Sequence, residues 1–293
     1  MKGSSAGAKF RQALELERPL QIMGVINAYA ARMASSLGFR ALYLSGAGVA
    51  NYSYALPDLG ITCLEDVLAD VRRVTEAVDL PLLVDIDTGW GGALTIARSI
   101  RKMTDAGAAA VHIEDQVAQK RCGHRPGKAV VSAGEMVERL KAAADAKTDP
   151  DFLIMARTDA FQSEGLSGVV DRACAYLEAG AEAIFAEALP DLEAFRSVCA
   201  AVPGPVLANM TEFGLSPLCG LEELKEAGVA MVLYPLTAAR AMQKAAFDAM
   251  RTVRETGSQV SILGSMQTRK ELYDFLDYSA YEAAQDRALG KTT

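Results

Sequence analysis

The densest chemistry in this chain is a thiol set among cations and an imidazole, because Lys120, Arg121, Cys122, Gly123 and His124 follow one another without a break. Cations beside a sulfur favour the thiolate and depress its pKa, so Cys122 is expected to act as an acid or base near neutral pH. Gly123 lets the backbone approach a ligand closely, and Pro126 and Gly127 mark a turn rather than a helix. The run therefore predicts a loop that transfers protons. A basic surface loop with a packing cysteine is the competing reading, since most single cysteines only fill space.

Acidic residues make a second constellation. Asp85 and Asp87 stand two apart in an apolar run, a spacing that puts both carboxylates on one face of a strand with no cation of their own to offset them. With Glu114 they form an oxygen-rich, thiol-free set, and such hard ligands favour Mg²⁺ or Mn²⁺ over zinc. Capping of a following helix is the other use of such aspartates. Arg157, expected at a buried strand end, must meet an anion, either a partner carboxylate such as Glu187 or a bound substrate. His112 sits among apolar neighbours and is expected in the core, whereas His124 is expected to face a ligand. Arginines occur singly, as at Arg157, Arg240 and Arg269, a distribution that suits a small anion.

Regular spacing reveals the elements that must hold these groups. Four times a glycine leads, seven residues on, to the end of an apolar run: Gly38 to Ser45, Gly107 to Glu114, Gly180 to Glu187 and Gly228 to Pro235. Four further apolar runs follow a proline, at Pro19, Pro81, Pro150 and Pro205. Amphipathic stretches fill the gaps at 65–78, 93–106, 132–146, 167–179, 221–227 and 238–256, with a helical tail at 267–289. Near-continuous apolar strands alternating with such helices predict a parallel sheet covered on both faces. Eight units in a chain of this length fit an α/β fold of the closed (β/α)8 TIM type, spanning residues 1–293 with 257–293 as a C-terminal helical extension. In that fold the C-terminal strand ends form the active rim, and there stand Asn27, Ser45, Asp85, Asp87, Glu114, Asp115, Arg157, Asp159, Glu187, Asn209 and Thr211.

Bulk composition narrows the function. Hydrophobic residues make up 51% of the 293, enough for a full core, and 37 acidic against 30 basic residues give a net charge of -7. That balance argues against nucleic acid and anionic membranes as partners. Five cysteines at 63, 122, 174, 199 and 219 lack a framework spacing and any C-x-x-C pair, which predicts a reduced, cytoplasmic setting. The stretch through Phe10 has no apolar core and is not read as a secretory signal.

Several longer motifs carry a resemblance: YLSGAGVA at 43–50, LPDLG at 56–60, VDIDTGWGG at 84–92, HIEDQVAQKRCGHRPGKAVVS at 112–132, IMARTDA at 154–160, LANMTEFG at 207–214, YPLTAARAM at 234–242 and MQTRKELY at 266–273. With these the chain resembles the isocitrate lyase and phosphoenolpyruvate mutase superfamily, and the KRCGH loop places it among the lyases. The resemblance implies that Asp85 and Asp87 hold Mg²⁺ (or Mn²⁺), with Asp58 and Glu114 in the outer shell through water. It implies that Ser45, Gly46, Ala47 and Arg157 contact the oxo-acid half of a di- or tricarboxylate substrate. Gly123, His124, Glu187, Asn209, Thr211, Arg240 and Arg269 would serve the remaining carboxylates, and Cys122 would be the acid/base, with Tyr43 as a candidate first base. Phe185, Leu233 and Pro235 match a pocket for a substrate methyl. The implied reaction is cleavage of 2-methylisocitrate to pyruvate and succinate; 2,3-dimethylmalate, oxaloacetate or isocitrate are the alternative substrates. A homotetramer with swapped C-terminal helices is implied as well. Ala186 and the segment 51–55 depart from the usual pattern.

Overall fold

Eight short strands close on themselves in the computed structural model, which describes residues 4–291. The extreme ends of the domain expected over 1–293 lie outside the described residues. The order begins α1 (Ala6–Leu16), β1 (Leu20–Gly24), α2 (Ala28–Ser36), β2 (Ala41–Leu44), the single turn α3 (Gly46–Gly48) running into a π-helical turn (Val49–Ser53), α4 (Leu64–Ala77), β3 (Leu82–Asp85), α5 (Ala93–Asp105) and β4 (Ala110–Glu114). It continues α6 (Ala133–Asp145), β5 (Leu153–Thr158), α7 (Phe161–Glu178), β6 (Ala183–Ala186), α8 (Leu192–Ala201), β7 (Val206–Asn209), α9 (Leu221–Glu226), β8 (Met231–Tyr234) and α10 (Thr237–Thr256). A 3-10 turn (Val260–Ser265), α11 (Arg269–Leu276) and α12 (Tyr278–Ala288) follow.

Every strand pairs in parallel with its sequence neighbour, and β1 pairs with β8, so the expected closed (β/α)8 barrel is the fold. Closure leaves no sheet edge, and strands buried on both faces read as continuous apolar runs because helices cover the outside. On α4, Leu64, Val67, Leu68, Val71 and Val74 recur at helical spacing and are all buried against the sheet. The glycine of each glycine-led unit has a left-handed backbone, with φ of 83° at Gly38, 86° at Gly107, 108° at Gly180 and 86° at Gly228. Each sits just past a helix, where a residue without Cβ ends the turn and redirects the chain into the next strand.

Inside the barrel, Leu20, Ile22, Leu83, Met155, Leu207 and Met231 pack with Phe10 of α1. The sequence reading assigns no element before Pro19; α1 is a correction, and its Phe10 is wholly buried. Burying that ring contributes roughly 1.5–3 kcal/mol, which holds the helix as a plug at the N-terminal end of the barrel.

Other corrections concern element ends. Asn27 does not join the rim, because its side chain accepts from Ala30 N at 2.8 Å and caps α2. Helix α7 starts at Phe161 and bends at Gly165, where φ is 66°. The tail is not one helix but two, broken at Asp277 with φ 54°. Helix α11 docks on α2, where Tyr29 meets Phe275 edge-on at 5.9 Å and donates to Gln267 Oε1 at 2.7 Å. Among the described residues no helix is long and apolar enough to cross a membrane.

Candidate active site

Strand register decides which polar side chains meet. Glu114 on β4 lies beside Arg157 on β5, and Arg157 in turn beside Phe185 on β6. Arg157 Nε accordingly lies 3.3 Å from Glu114 Oε2, and the guanidinium sits 5.0 Å from the centre of the Phe185 ring. Asp159 takes Arg157 Nε at 2.9 Å and Nη2 at 3.2 Å, while Glu187 Oε2 stands 3.2 Å from Nη2. The ion-pair reading of Arg157 therefore holds, and the same guanidinium also lines the open cavity. Burial pushes the Glu187 carboxyl up, but Arg157 and His124 outweigh it and hold it well below the usual carboxylate range.

Asp85 pairs in register with His112 and ends β3. Asp87 does not share its face by strand alternation, as the spacing suggested. It lies in a tight turn with φ 47°, and its backbone N donates to Asp85 Oδ1 at 3.0 Å. Nor are the two aspartates helix caps, since Gly92 precedes α5. A cation does offset them: Lys120, from the cysteine loop, reaches Asp87 Oδ1 at 2.6 Å and also pairs with Asp58. Burial raises the Asp85 carboxyl, yet His112, Lys120 and Arg157 together bring it down to about 2. Burial dominates at Asp87 and lifts it to about 6.

These groups fit a divalent cation that keeps much of its water. Glu114 Oε1 is buried without a hydrogen-bond donor, and Asp87 Oδ1 has only the Lys120 ammonium beside it. Gly46 leaves the carboxylates uncovered: a Cβ there would lie 3.1 Å from Asp85 Oδ2 and 3.2 Å from Asp87 Oδ1. Among the described residues no group of three or more His, Cys, Asp or Glu side chains could by itself hold a metal. Mg²⁺ is bound in that manner, through one or two carboxylates with substrate and water completing the octahedron.

Above the carboxylates runs the loop 117–131, clipped at its base where Gln116 bridges Val130. The Gln116 side chain accepts from Arg121 N at 3.0 Å and donates to Arg121 O at 2.8 Å, which fixes the turn that presents Cys122. His124 Nε2 lies 3.0 Å from Glu187 Oε1 and its Nδ1 accepts from Leu215 N at 2.9 Å. The expected lowering of the Cys122 pKa does not occur. Lys120 is turned toward Asp58 and Asp87, and burial pushes the thiol up. Cys122 is thus protonated at neutral pH and suited to donate rather than to accept.

One cavity of about 690 Å³ gathers most of the expected residues: Tyr43, Ser45, Ala47, Asp58, Asp85, Cys122, Gly123, His124, Arg157, Phe185, Glu187, Asn209, Thr211, Leu233, Pro235 and Arg240 all line it. Gly46, Asp87 and Glu114 stand directly behind its wall, tied in through Asp85 and Arg157. Arg269 is not there; it opens α11 and is exposed. On the barrel floor Tyr43 OH lies 2.9 Å from His112 Nε2, and burial raises the phenol well above its usual value while lowering the imidazole to about 4. Sequence reasoning missed the pairing of Lys120 with the acidic groups and missed Lys128, which reaches Asp159 Oδ1 at 2.9 Å. No local pattern signals either contact, because each partner is far away in sequence.

Comparison with known proteins fits this geometry. The phosphoenolpyruvate phosphomutase family model matches residues 10–254. The chain belongs to the phosphoenolpyruvate phosphomutase family. Within that family, 2-methylisocitrate lyase of Shewanella oneidensis is 59% identical over 283 residues, covering 97% of each chain. The Escherichia coli 2-methylisocitrate lyase is 54% identical over 289 residues and 98% of each chain. Among solved structures, a 2,3-dimethylmalate lyase matches with a TM-score of 0.88 at 35% identity, covering 96% of this chain and 95% of the other. An oxaloacetate acetylhydrolase matches with a TM-score of 0.91 at 32% identity, over 99% and 98%.

Proposed function

We propose that the protein cleaves 2-methylisocitrate to pyruvate and succinate, as its relatives' name describes. The observation that carries this reading is the 59% identity, over 97% of both chains, to a 2-methylisocitrate lyase. The cavity supplies support: a protonated thiol, the Asp85 carboxylate with Asp87 behind it, and a guanidinium meet at one space large enough for a tricarboxylate.

Asp85 and Asp87 would hold Mg²⁺, or Mn²⁺, with Asp58 and Glu114 close by; the bound ion would lower the pKa of the substrate hydroxyl. Arg157 clamps a substrate carboxylate beside Ser45, Gly46 and Ala47. Tyr43, which lines the cavity beside Asp85 with its OH 2.9 Å from His112 Nε2, is the candidate first base for the hydroxyl proton. The carbon-carbon bond then breaks, its electron pair stays on the succinate half, and the new carbonyl leaves as pyruvate. Cys122 donates its proton to that carbanion. Closure of the loop over bound substrate would keep out water, which strengthens each charge interaction and protects the carbanion.

Phe185, Leu233 and Pro235 form the apolar wall on which a substrate methyl rests. The assembly proposed is a homotetramer in the cytoplasm, with residues 257–293 as the swapped extension of one barrel domain and the reaction placed in propionate breakdown through the methylcitrate cycle. Supporting the assembly are the exposed apolar side chains Phe247 and Met250 on α10 and Tyr281 on α12. Exposed Arg269 would reach an active site only from a neighbouring copy.

A coupled assay of pyruvate release from 2-methylisocitrate, and of glyoxylate release from isocitrate, each with and without Mg²⁺, tests the reading. Magnesium-dependent preference for the methylated acid is the expected result. Turnover of 2,3-dimethylmalate or oxaloacetate in its place would overturn it.

A further inference from the structure

Two residues of the cysteine loop, His124 and Lys128, grip opposite ends of one buried ionic chain. Starting from the loop, Lys128 Nζ lies 2.9 Å from Asp159 Oδ1. Asp159 Oδ2 lies 2.9 Å from Arg157 Nε, Arg157 Nη2 lies 3.2 Å from Glu187 Oε2, and Glu187 Oε1 lies 3.0 Å from His124 Nε2, which returns the circuit to the loop. Lys128 and Asp159 side chains are 3% and 0% exposed. A lysine so deeply buried must be paired, because an ammonium stripped of water without a partner is strongly unfavourable.

Charge counting gives that pairing a purpose. Arg157 answers three carboxylates, Glu114, Asp159 and Glu187, which by themselves would saturate its single charge. Lys128 relieves Asp159 by charge, and His124 Nε2 sits 3.0 Å from Glu187 Oε1 as a hydrogen-bond partner. With Lys128 on Asp159, Arg157 no longer answers that carboxylate alone, and more of its charge is left to share with an incoming one. Asp159 itself is anchored from below, where its backbone N donates to Asp115 Oδ1 at 2.9 Å. The loop lysine is therefore the movable partner in the pair.

We propose that Lys128 is a positioning residue: by docking on Asp159 when loop 117–131 closes, it frees Arg157 to bind the substrate carboxylate. The proposal rests on the lyase reading for its substrate but not for its binding test.

Full-length enzyme with Mg²⁺ is compared as wild type, Lys128→Met and Lys128→Arg. Lys128→Met is expected to raise KM for 2-methylisocitrate by about 10- to 100-fold, with a smaller change in kcat, as a displaced substrate clamp does. Calorimetric titration with oxalate and Mg²⁺, which needs no turnover, is expected to weaken by a similar factor. Lys128→Arg is expected to recover most of both, with thermal midpoints alike in all three. Unchanged KM and oxalate affinity in Lys128→Met overturns the proposal. So does a lowered thermal midpoint with a kcat loss that Lys128→Arg does not recover, since that marks a structural role alone. If the wild type binds oxalate but does not cleave the methylated acid, the lyase reading fails while the oxalate comparison still decides the role of Lys128.

Discussion

The ammonium of Lys120 lies 2.6 Å from Oδ1 of Asp87, so the loop that carries the thiol is tied by charge to the carboxylates beneath it. Burial lowers the Lys120 pKa, but Asp87, Glu114 and Asp58 outweigh it and keep the amine charged. Lys120 and a divalent cation therefore answer the same acidic groups. Lys120→Met is expected to reduce kcat about 100-fold through loss of loop placement, while Mg²⁺ binding to the substrate-free protein stays equal or tightens. Calorimetric titration of Mg²⁺ beside steady-state kinetics checks this; a Mg²⁺ affinity weakened tenfold would contradict it.

As the proposed acid, Cys122 should set the alkaline limit of activity. Burial disfavours the thiolate, so its pKa is raised and the thiol stays protonated through neutral pH. A group that works as an acid is active below its pKa and lost above it. Activity assigned to Cys122 should therefore fall only on the alkaline side, and iodoacetamide should react slowly at pH 7 and faster as pH rises. An alkylation rate that levels off below pH 8 would show a depressed pKa and refute the donor role. Cys122→Ser is expected to abolish turnover by about 1000-fold or more, at the level that removal of a general acid reaches.

Gly123 is required by close approach. A Cβ at this position would lie 2.5 Å from Arg157 Nη2 and 2.5 Å from Glu187 Cγ. Those neighbours are locked in the buried ion network and cannot withdraw, so Gly123→Ala forces the loop outward. The expected outcome is an activity loss of about 100-fold with the thermal midpoint of the barrel unchanged, because the displaced segment is a surface loop.

Much of this was legible in the chain because it is periodic. Gly38, Gly107, Gly180 and Gly228 each need a left-handed backbone, and that single requirement fixed the phase of four strands. Strand phase in turn put Asp85, Glu114, Arg157, Glu187 and Asn209 at one end of the barrel. What the sequence could not give was contact between distant loops. Lys120 looked like a neighbour of Cys122, whereas the fold turns it toward Asp58, 62 residues away. Asp87 escaped the strand alternation through its left-handed turn, and Asn27 proved to be a cap because a helix begins immediately after it. Helix α1 was missed since its small residues carry little pattern, although Phe10 alone anchors it.

Asp115 supports the site from beneath. Its carboxylate accepts from Asp159 N at 2.9 Å, Thr158 Oγ1 at 2.7 Å and Tyr176 OH at 2.8 Å, and lies 3.3 Å from Arg172 Nη1. Asp115→Ala would remove the acceptor of Asp159 N, Thr158 Oγ1 and Tyr176 OH, while Arg172 keeps Glu164 and Val131 O. Urea denaturation is expected to show a loss of about 3–5 kcal/mol, from several buried donors each costing about 1–3 kcal/mol when left unsatisfied. Asp115→Asn keeps an acceptor and should lose distinctly less.

Phe185 is placed to decide which acid the cavity prefers. Its ring meets His112 edge-on at 5.2 Å and carries the Arg157 guanidinium at 5.0 Å, so it is held in orientation from two sides while lining the cavity with Leu233. An apolar wall gains from a methyl group and gains nothing from the hydrogen that replaces it, a difference worth about 1–3 kcal/mol, or roughly 10- to 200-fold. Phe185→Ala removes the wall and also the surface under Arg157. Two effects should then separate in the kinetics. The ratio of kcat/KM for 2-methylisocitrate over isocitrate should fall toward unity, while kcat/KM for both acids should drop together through the loosened guanidinium. Leu233→Ala, which leaves the Arg157 contact intact, should change the ratio with a smaller common loss. If Phe185→Ala lowers both values but leaves their ratio untouched, the methyl rests elsewhere, and the unusual segment 51–55, whose Asn51 lines the cavity, becomes the part of the wall to substitute next.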